Sequence, residues 1–241
     1  MNILPRLLAI LALMSVATAC SQPASVFLIF SKTAGFRHNS IPDGVAALQK
    51  IGTEEKWTTE HTEDATVFTP DNLRRFTVVI FLNTTGDVLN DSQMAALRGY
   101  LEAGGGFVGI HSATDTEAED PWYPTMIGAR FASHPAIQEA SMNVAQGTGH
   151  PSIAHLTARW TRRDEWYDFR EPLSSGFTVL LDLDGTTYQG SRTQGRHPIA
   201  WYREAQGYRV FYTGLGHTTE SYTEPGFLTH LREALRWTAR R

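Results

Sequence analysis

The sequence predicts a single α/β domain: a parallel sheet with helices on both faces, followed by an antiparallel C-terminal extension. Three observations carry this expectation. Apolar runs of strand length at residues 25–30, 76–82 and 107–110 stand at intervals through the first half. Helical patterns separate them, and a strand–helix–strand repeat at this spacing pairs in parallel through right-handed crossovers. The second half changes texture, with strand patterns joined by short connections, as antiparallel neighbours require.

The elements follow in order. Residues 25–30 read as a first buried strand, and residues 31–40 as a polar loop containing Gly35. A helix is expected to begin at Ile41-Pro42, because Pro is favoured in a first turn, and to run to about Gly52. After the strand at 76–82, Asn90 and Gln93 form a capping-box pair ahead of Met94, Leu97 and Leu101 at helical spacing. Gly104 supplies the stop, and Gly105 and Gly106 lead into the third strand. Strands are then expected at 138–145, 160–169, 177–182, 199–203 and 208–212, the last two joined by a hairpin turn over 204–207, with a closing helix over 225–241.

The N-terminal stretch is read apart from this domain. One positive charge in residues 1–6, an apolar run over 7–16 and the small residues Ala17, Thr18 and Ala19 make residues 1–19 a secretory signal. Cys20 directly after small residues resembles a bacterial lipobox, in which the Cys is lipidated and becomes the mature N-terminus. The expectation is an exported protein anchored on the periplasmic side of the envelope. Ser21 stands where an Asp would favour inner-membrane retention, which points to the outer membrane. The folded domain is placed at 24–241.

Hydrophobic residues make up 41% and charged residues 19% of the 241 residues, an ordinary globular balance with enough apolar content for an unstapled core. The formal charge is -4 with no strongly basic patch, which argues against nucleic acid as the partner. Cys20 is the only cysteine, so the domain has neither an internal disulfide nor a thiol nucleophile.

In an open parallel sheet, ligands sit beyond the carboxyl ends of the strands. Three histidines follow predicted strands there. His38 comes after the first, in Gly35-Phe36-Arg37-His38. His111 comes directly after the third, in a sharp Gly-preceded turn, with Asp115 four residues on. His217 follows the last, in Gly214-Leu215-Gly216-His217. Asp164-Glu165-Trp166-Tyr167 sets carboxylates beside aromatics, and His197 precedes a strand. Flat amphipathic rings such as Trp166 and Tyr167 suit either a core or a platform for the apolar face of a sugar.

Taken together, these motifs resemble the ThuA-like (trehalose-utilisation) family. The matching stretches are Gly35-Phe36-Arg37-His38, residues 104–116, residues 128–135, His150-Pro151, residues 164–167, residues 197–201 and residues 214–217, in order along the mature chain. The resemblance implies a flavodoxin-like, class I glutamine amidotransferase-like fold. In that superfamily a nucleophilic Cys occupies the turn where this chain has His111, so a glutaminase mechanism is excluded. Ser112 lacks the Gly-x-Ser-x-Gly frame of a serine-hydrolase elbow.

The family resemblance implies carbohydrate metabolism, with a small-molecule sugar as partner. The leading expectation is an enzyme using His111, Asp115 and Glu165 for acid–base chemistry, with Arg37, His38, Trp166, Tyr167, His197 and His217 binding substrate. A metal-dependent variant would hold a divalent ion such as Zn²⁺ on His38, His111 and His217, with Glu165 or Asp115 giving an oxygen. A non-catalytic sugar-binding lipoprotein is the third alternative.

Overall fold

The structure, a computed structural model, describes residues 25–205 and 207–240. The expected signal segment and the expected lipidation site Cys20 lie outside the described residues. The first half alternates strands and helices: β1 (Val26–Phe30), α1 (Ile41–Glu55), β2 (Thr58–Thr62), α2 (Pro70–Leu73), β3 (Val78–Leu82), α3 (Asp91–Glu102), β4 (Gly106–Ile110) and α4 (Tyr123–Ile127). The second half is built of β5 (Phe131–Ser133), β6 (Gln138–Val144), β7 (Arg159–Asp164), β8 (Asp168–Phe169), β9 (Thr178–Leu183), β10 (Pro198–Ala205) and β11 (Tyr208–Thr213), and α5 (Pro225–Thr238) closes it.

One nine-stranded sheet runs through both halves in the order β2-β1-β3-β4-β11-β10-β9-β6-β7, and β5 and β8 form a separate pair. The strands β2, β1, β3, β4 and β11 are parallel, and everything from β11 to β7 is antiparallel. β11 is therefore the joint between the two halves. The parallel part has the doubly wound order of a flavodoxin-like sheet.

Alternation along the strands supplies two cores. Phe27 and Ile29 of β1 face one side, where Leu48 and Ile51 of α1 and Leu231 and Leu235 of α5 pack. Leu28 and Phe30 face the other, against Met94, Leu97 and Leu101 of α3. The capping box forms as expected: the Asn90 side chain accepts from the Gln93 amide, and the Gln93 side chain accepts from the Asn90 amide. No described helix is long and apolar enough to cross a membrane.

The short elements α2, α4 and β5 were not expected from the sequence, and three further differences have a plain physical reason. β2, built of Thr58, Thr59, Glu60, His61 and Thr62, has no apolar residue to announce it; it is an edge strand whose side chains stay half exposed. Helix α1 passes through Gly52 and ends at Lys56, which adopts a left-handed φ of 59°. Gly52 is a contact point rather than a stop, because a Cβ there would lie 2.5 Å from Thr59 Cγ2 of β2. The strand expected over 160–169 divides into β7 and β8. The Asp164 carboxylate accepts from the amides of Glu165, Gly216 and His217, and this takes residues 165–167 out of the ladder.

Two histidines are locked where α5 packs, His230 on the helix itself and His150 against its Trp237. His230 is fully buried, with Nδ1 donating to the Ser152 carbonyl at 2.9 Å. His150 stacks among Tyr202, Phe211 and Trp237. Burial lowers the pKa of His230 to about 3 and of His150 to about 4, with Arg240 adding to the effect on His150. Both folded-state values lie below that of an unfolded histidine, so the unfolded chain takes up protons first as pH falls. Their contribution to stability is complete above about pH 6.5 and is lost between there and pH 4 to 3. Urea melts across this window should show stability falling by up to about 1.4 kcal/mol per pH unit for each group. The slope should flatten in His230→Gln; an unchanged slope would refute the assignment.

Candidate functional site

The carboxyl ends of β1, β4 and β11 deliver the three strand-end histidines to one place. His38 lies in the loop after β1, His111 directly after β4, and His217 after β11. Their ring centroids are 4.8 Å (His38–His111), 5.0 Å (His38–His217) and 5.0 Å (His111–His217) apart, a nearly equilateral triangle. The fourth member is Glu165, just past β7. Three strands separate β7 from β11 in the sheet order, yet Asp164 Oδ2 accepts from the Gly216 amide at 2.9 Å. The antiparallel half therefore curls back over the parallel edge and brings Glu165 with it.

His111 sits on a strained elbow. Its φ is +51°, a left-handed conformation costly for a residue with a Cβ, at the start of a short 3₁₀ turn over His111–Asp115. The elbow is held by Tyr212 Oη, which donates to the His111 carbonyl at 2.8 Å, and by Tyr123 Oη, which donates to that of Ala113 at 2.9 Å. Gly109 in β4 leaves the room: a Cβ there would lie 2.8 Å from Ile127 Cδ1.

The tautomer of His111 follows from its partners. Nδ1 lies 2.9 Å from the Gly214 carbonyl, which can only accept, so Nδ1 carries the proton. In the neutral ring, the Nε2 lone pair then points into the cluster, 3.1 Å from His217 Nδ1 and 3.4 Å from Glu165 Oε2. His217 Nδ1 is 3.0 Å from the same Glu165 oxygen. One ligand atom from each of His38, His111, Glu165 and His217 lies within 4.8 Å of every other. Ligands about 2.0–2.1 Å from a common tetrahedral ion sit about 3.3 Å apart, close to the 3.0–3.4 Å separations among His111, His217 and Glu165.

The electrostatics match. Burial, reinforced by the charges of His111 and His217, lowers the pKa of His38 to about 3, so it is a neutral lone-pair donor at neutral pH. Burial by itself would raise Glu165, but its hydrogen bonds with His111 and His217 outweigh this and hold the carboxyl well below the usual range. Three neutral-capable imidazoles and one carboxylate could hold a divalent cation.

Among the other expected residues, placements differ. Asp115 makes no hydrogen bond to His111; burial raises its pKa, and Glu165 takes the carboxylate position instead. Arg37 points to the surface, where both terminal nitrogens bind Glu63 at 3.0 and 2.7 Å. Trp166 is fully buried, with Nε1 donating to the Gln138 carbonyl, so it is a core residue rather than a platform. His197 is buried 2.9 Å from Tyr188 Oη and 2.8 Å from the Tyr167 carbonyl, where it supports the chain behind the site. Tyr167 is buried with its ring 4.4 Å from that of His111, as a wall of the cluster.

Two residues that the sequence reading marked without giving them a place in the site belong here. His134 places Nδ1 2.9 Å from Glu165 Oε1, while its side chain stays 42% exposed. Its Ser133-His134-Pro135 loop was visible in the sequence, but nothing local connects it to Glu165. Asp164 anchors the backbone of His217. Two cavities lie away from the cluster. One of about 810 Å³ opens at the amino ends of the strands by Phe76, Gly104 and Arg209. Another, of about 400 Å³, lies under β8 by Ser133 and His197.

The comparisons with known proteins follow this geometry. The sequence model of the family described as "ThuA: Trehalose utilisation" matches residues 26–238. The chain belongs to the ThuA family. A ThuA-like protein from Bacteroides uniformis shares 24% identity at a TM-score of 0.77, covering 93% of this chain and 95% of its own. One from Parabacteroides merdae shares 19% identity at a TM-score of 0.73, covering 90% of each. The glutaminase domain of Trypanosoma brucei CTPS shares 9% identity at a TM-score of 0.50, covering 88% of this chain and 94% of its own. No curated protein matches. At these identities the structures show the fold, and this ThuA chain has the class I glutamine amidotransferase-like α/β fold with His111 at the strand-end turn.

Proposed function

We propose that this ThuA protein is a divalent-metal-dependent enzyme acting on a sugar or glycoside, exported and lipid-anchored at Cys20. The observation that carries the metal reading is the convergence of His38, His111, His217 and Glu165 from four separate parts of the fold. The arrangement sets two imidazole nitrogens 3.1 Å from each other around one carboxylate oxygen. An ion explains that crowding more simply than a hydrogen-bond network does. The set of three nitrogens and one oxygen suits Zn²⁺. When bound, such an ion supplies Lewis-acid polarisation of a sugar oxygen or an activated water.

The residues of the chain do the rest. The Gly214 carbonyl keeps the lone pair of His111 Nε2 aimed inward. Asp164 fixes the backbone of His217. His134 holds the second oxygen of Glu165 through Nδ1, and its side chain, 42% exposed, stands where a ligand can reach it. The sugar assignment rests on the family description together with the rings that line the site.

Elemental analysis of the purified protein should find about one divalent ion per chain. Removal by a chelator should lower the melting temperature, and re-addition of Zn²⁺ should restore it. A chain that is metal-free after expression in metal-replete medium and shows no Zn²⁺-dependent stabilisation would leave metal-free acid–base chemistry at Glu165 and His111. Mass spectrometry of membrane-extracted protein tests the anchor: a diacylated Cys20 is expected, and an intact Met1 would overturn it.

A further inference from the structure

The exposed ring of Phe36 is a feature that the metal reading does not use. It is the large hydrophobic side chain among the described residues that stands in solvent, 67% exposed. A single exposed phenylalanine is ordinary on a protein surface. This one is distinguished by where it is held. Its ring sits edge-on to His38, with centroids 4.9 Å apart and planes at 85°.

The backbone beneath the ring is fixed. Thr85 Oγ1 donates to the Phe36 carbonyl at 2.8 Å, and the Thr85 carbonyl accepts from the amides of Ala34 and Gly35 at 2.7 and 3.3 Å. Isolated bridges Thr33–Thr85 and Gly86–Thr116 tie the loops after β1, β3 and β4 together. The loops touch closely: a Cβ on Gly86 would come 3.1 Å from the Gly35 nitrogen. Phe36 is thus a fixed ring rather than a side chain on a free loop tip.

A run of ring contacts crosses the site from Phe36. It passes to His38 (4.9 Å), His111 (4.8 Å), Tyr167 (4.4 Å) and His134 (6.0 Å). The two end members are exposed and the middle three are buried. A ligand approaching the cluster meets Phe36 at one end of this run and His134 at the other. Beside Phe36, the Arg37 guanidinium is committed to Glu63 through two hydrogen bonds. That rim offers an apolar ring next to a closed ion pair, which suits a neutral ligand with one apolar face and does not provide Arg37 as a free cation for a phosphate ester.

We propose that Phe36 is the stacking platform of the substrate site and holds the apolar C–H face of a neutral, unphosphorylated sugar ring beside the metal centre. This rests on the reading of the cluster as a sugar-processing metal site and adds the subsite that orients the sugar. Trp166 and Tyr167, the aromatics that sequence alone suggested for this role, are buried.

The test is calorimetric titration of the Zn²⁺-loaded chain with trehalose, methyl α-glucoside and glucose 6-phosphate, in wild type, Phe36→Ala and Phe36→Tyr. The neutral sugars should bind wild type, weaken about tenfold in Phe36→Ala and recover in Phe36→Tyr. Glucose 6-phosphate should bind no tighter than methyl α-glucoside, and Zn²⁺ affinity should be equal in all three proteins. Unchanged sugar affinity in Phe36→Ala, or tighter binding of the phosphate ester, overturns the platform while the sugar reading of the site stands. Wild type that binds Zn²⁺ but neither neutral sugar overturns both. Wild type that binds the sugars, weakened in Phe36→Ala, without binding Zn²⁺ removes the metal reading alone and supports the platform.

Discussion

Replacing His111 with alanine should strip the bound ion and lower turnover of a sugar substrate by a factor of about 10² or more, with the fold intact. The side chain lies at the centre of the cluster, with Nε2 within 3.4 Å of both His217 and Glu165. Removing it deletes one ligand and leaves the Glu165 carboxylate with His217 and His134 as its histidine partners. A factor of this size is typical of losing a proton-transfer group, and a lost metal ligand costs at least as much. The fold should survive because alanine can hold the φ of +51° at modest cost within a well-packed elbow, and His111→Gly relieves that strain. Circular dichroism and plasma mass spectrometry would read both effects. His61→Ala is the control: its ring meets Ser31 on the edge-strand side and is not part of the cluster. Full metal content with turnover within a few-fold of wild type in His111→Ala would end the His-centred reading.

The second large effect is expected at Asp164, through stability. Its carboxylate is fully buried, accepts from the amides of Gly216 and His217 at 2.9 and 3.1 Å, and faces Arg162 at 3.4 Å. Arg162 is itself buried and keeps Glu224 at 3.0 Å as its other carboxylate partner. Breaking a buried pair from one side costs about 3–5 kcal/mol, and the surviving Glu224 contact places Asp164→Ala at the lower end. For a chain of this size, that lowers the melting temperature by on the order of 10 °C. Asp164→Asn keeps an acceptor and should lose less. Because the same carboxylate sets the backbone of His217, Co²⁺ titrations should also show weaker binding in both variants. A loss below about 1 kcal/mol in urea melts of Asp164→Ala would show that the β11–α5 loop is held by other contacts.

What was legible in the sequence was local or topological. The capping box at Asn90, the buried runs of β1, β3 and β4, and the two helices that begin at Ile41-Pro42 and at Pro225 are written in neighbouring residues, and each forms. The meeting of His38, His111 and His217 was also legible. A parallel sheet with right-handed crossovers puts the carboxyl ends of its strands on one edge, so residues just after β1 and β4 share a location whatever their distance in sequence, and β11 delivers His217 there because it pairs in parallel with β4.

The tertiary structure decided the rest. Glu165 and His134 come from the antiparallel half, and only the curl that returns β7 to the β11 loop sets them on the histidines; no local pattern encodes a curl. Trp166 and Tyr167 are neighbours with similar side chains, and one packs in the core while the other packs against His111, because the turn between β7 and β8 settles which way each faces. Arg37 is committed to Glu63 just beyond β2, a polar edge strand that carries no hydrophobic signal of its own. Secondary structure and the shared edge of a parallel sheet follow from short-range periodicity and chain chirality. The ligand set, its charge balance and the open ring at its rim depend on contacts between segments far apart in sequence, which packing of the whole chain alone brings together.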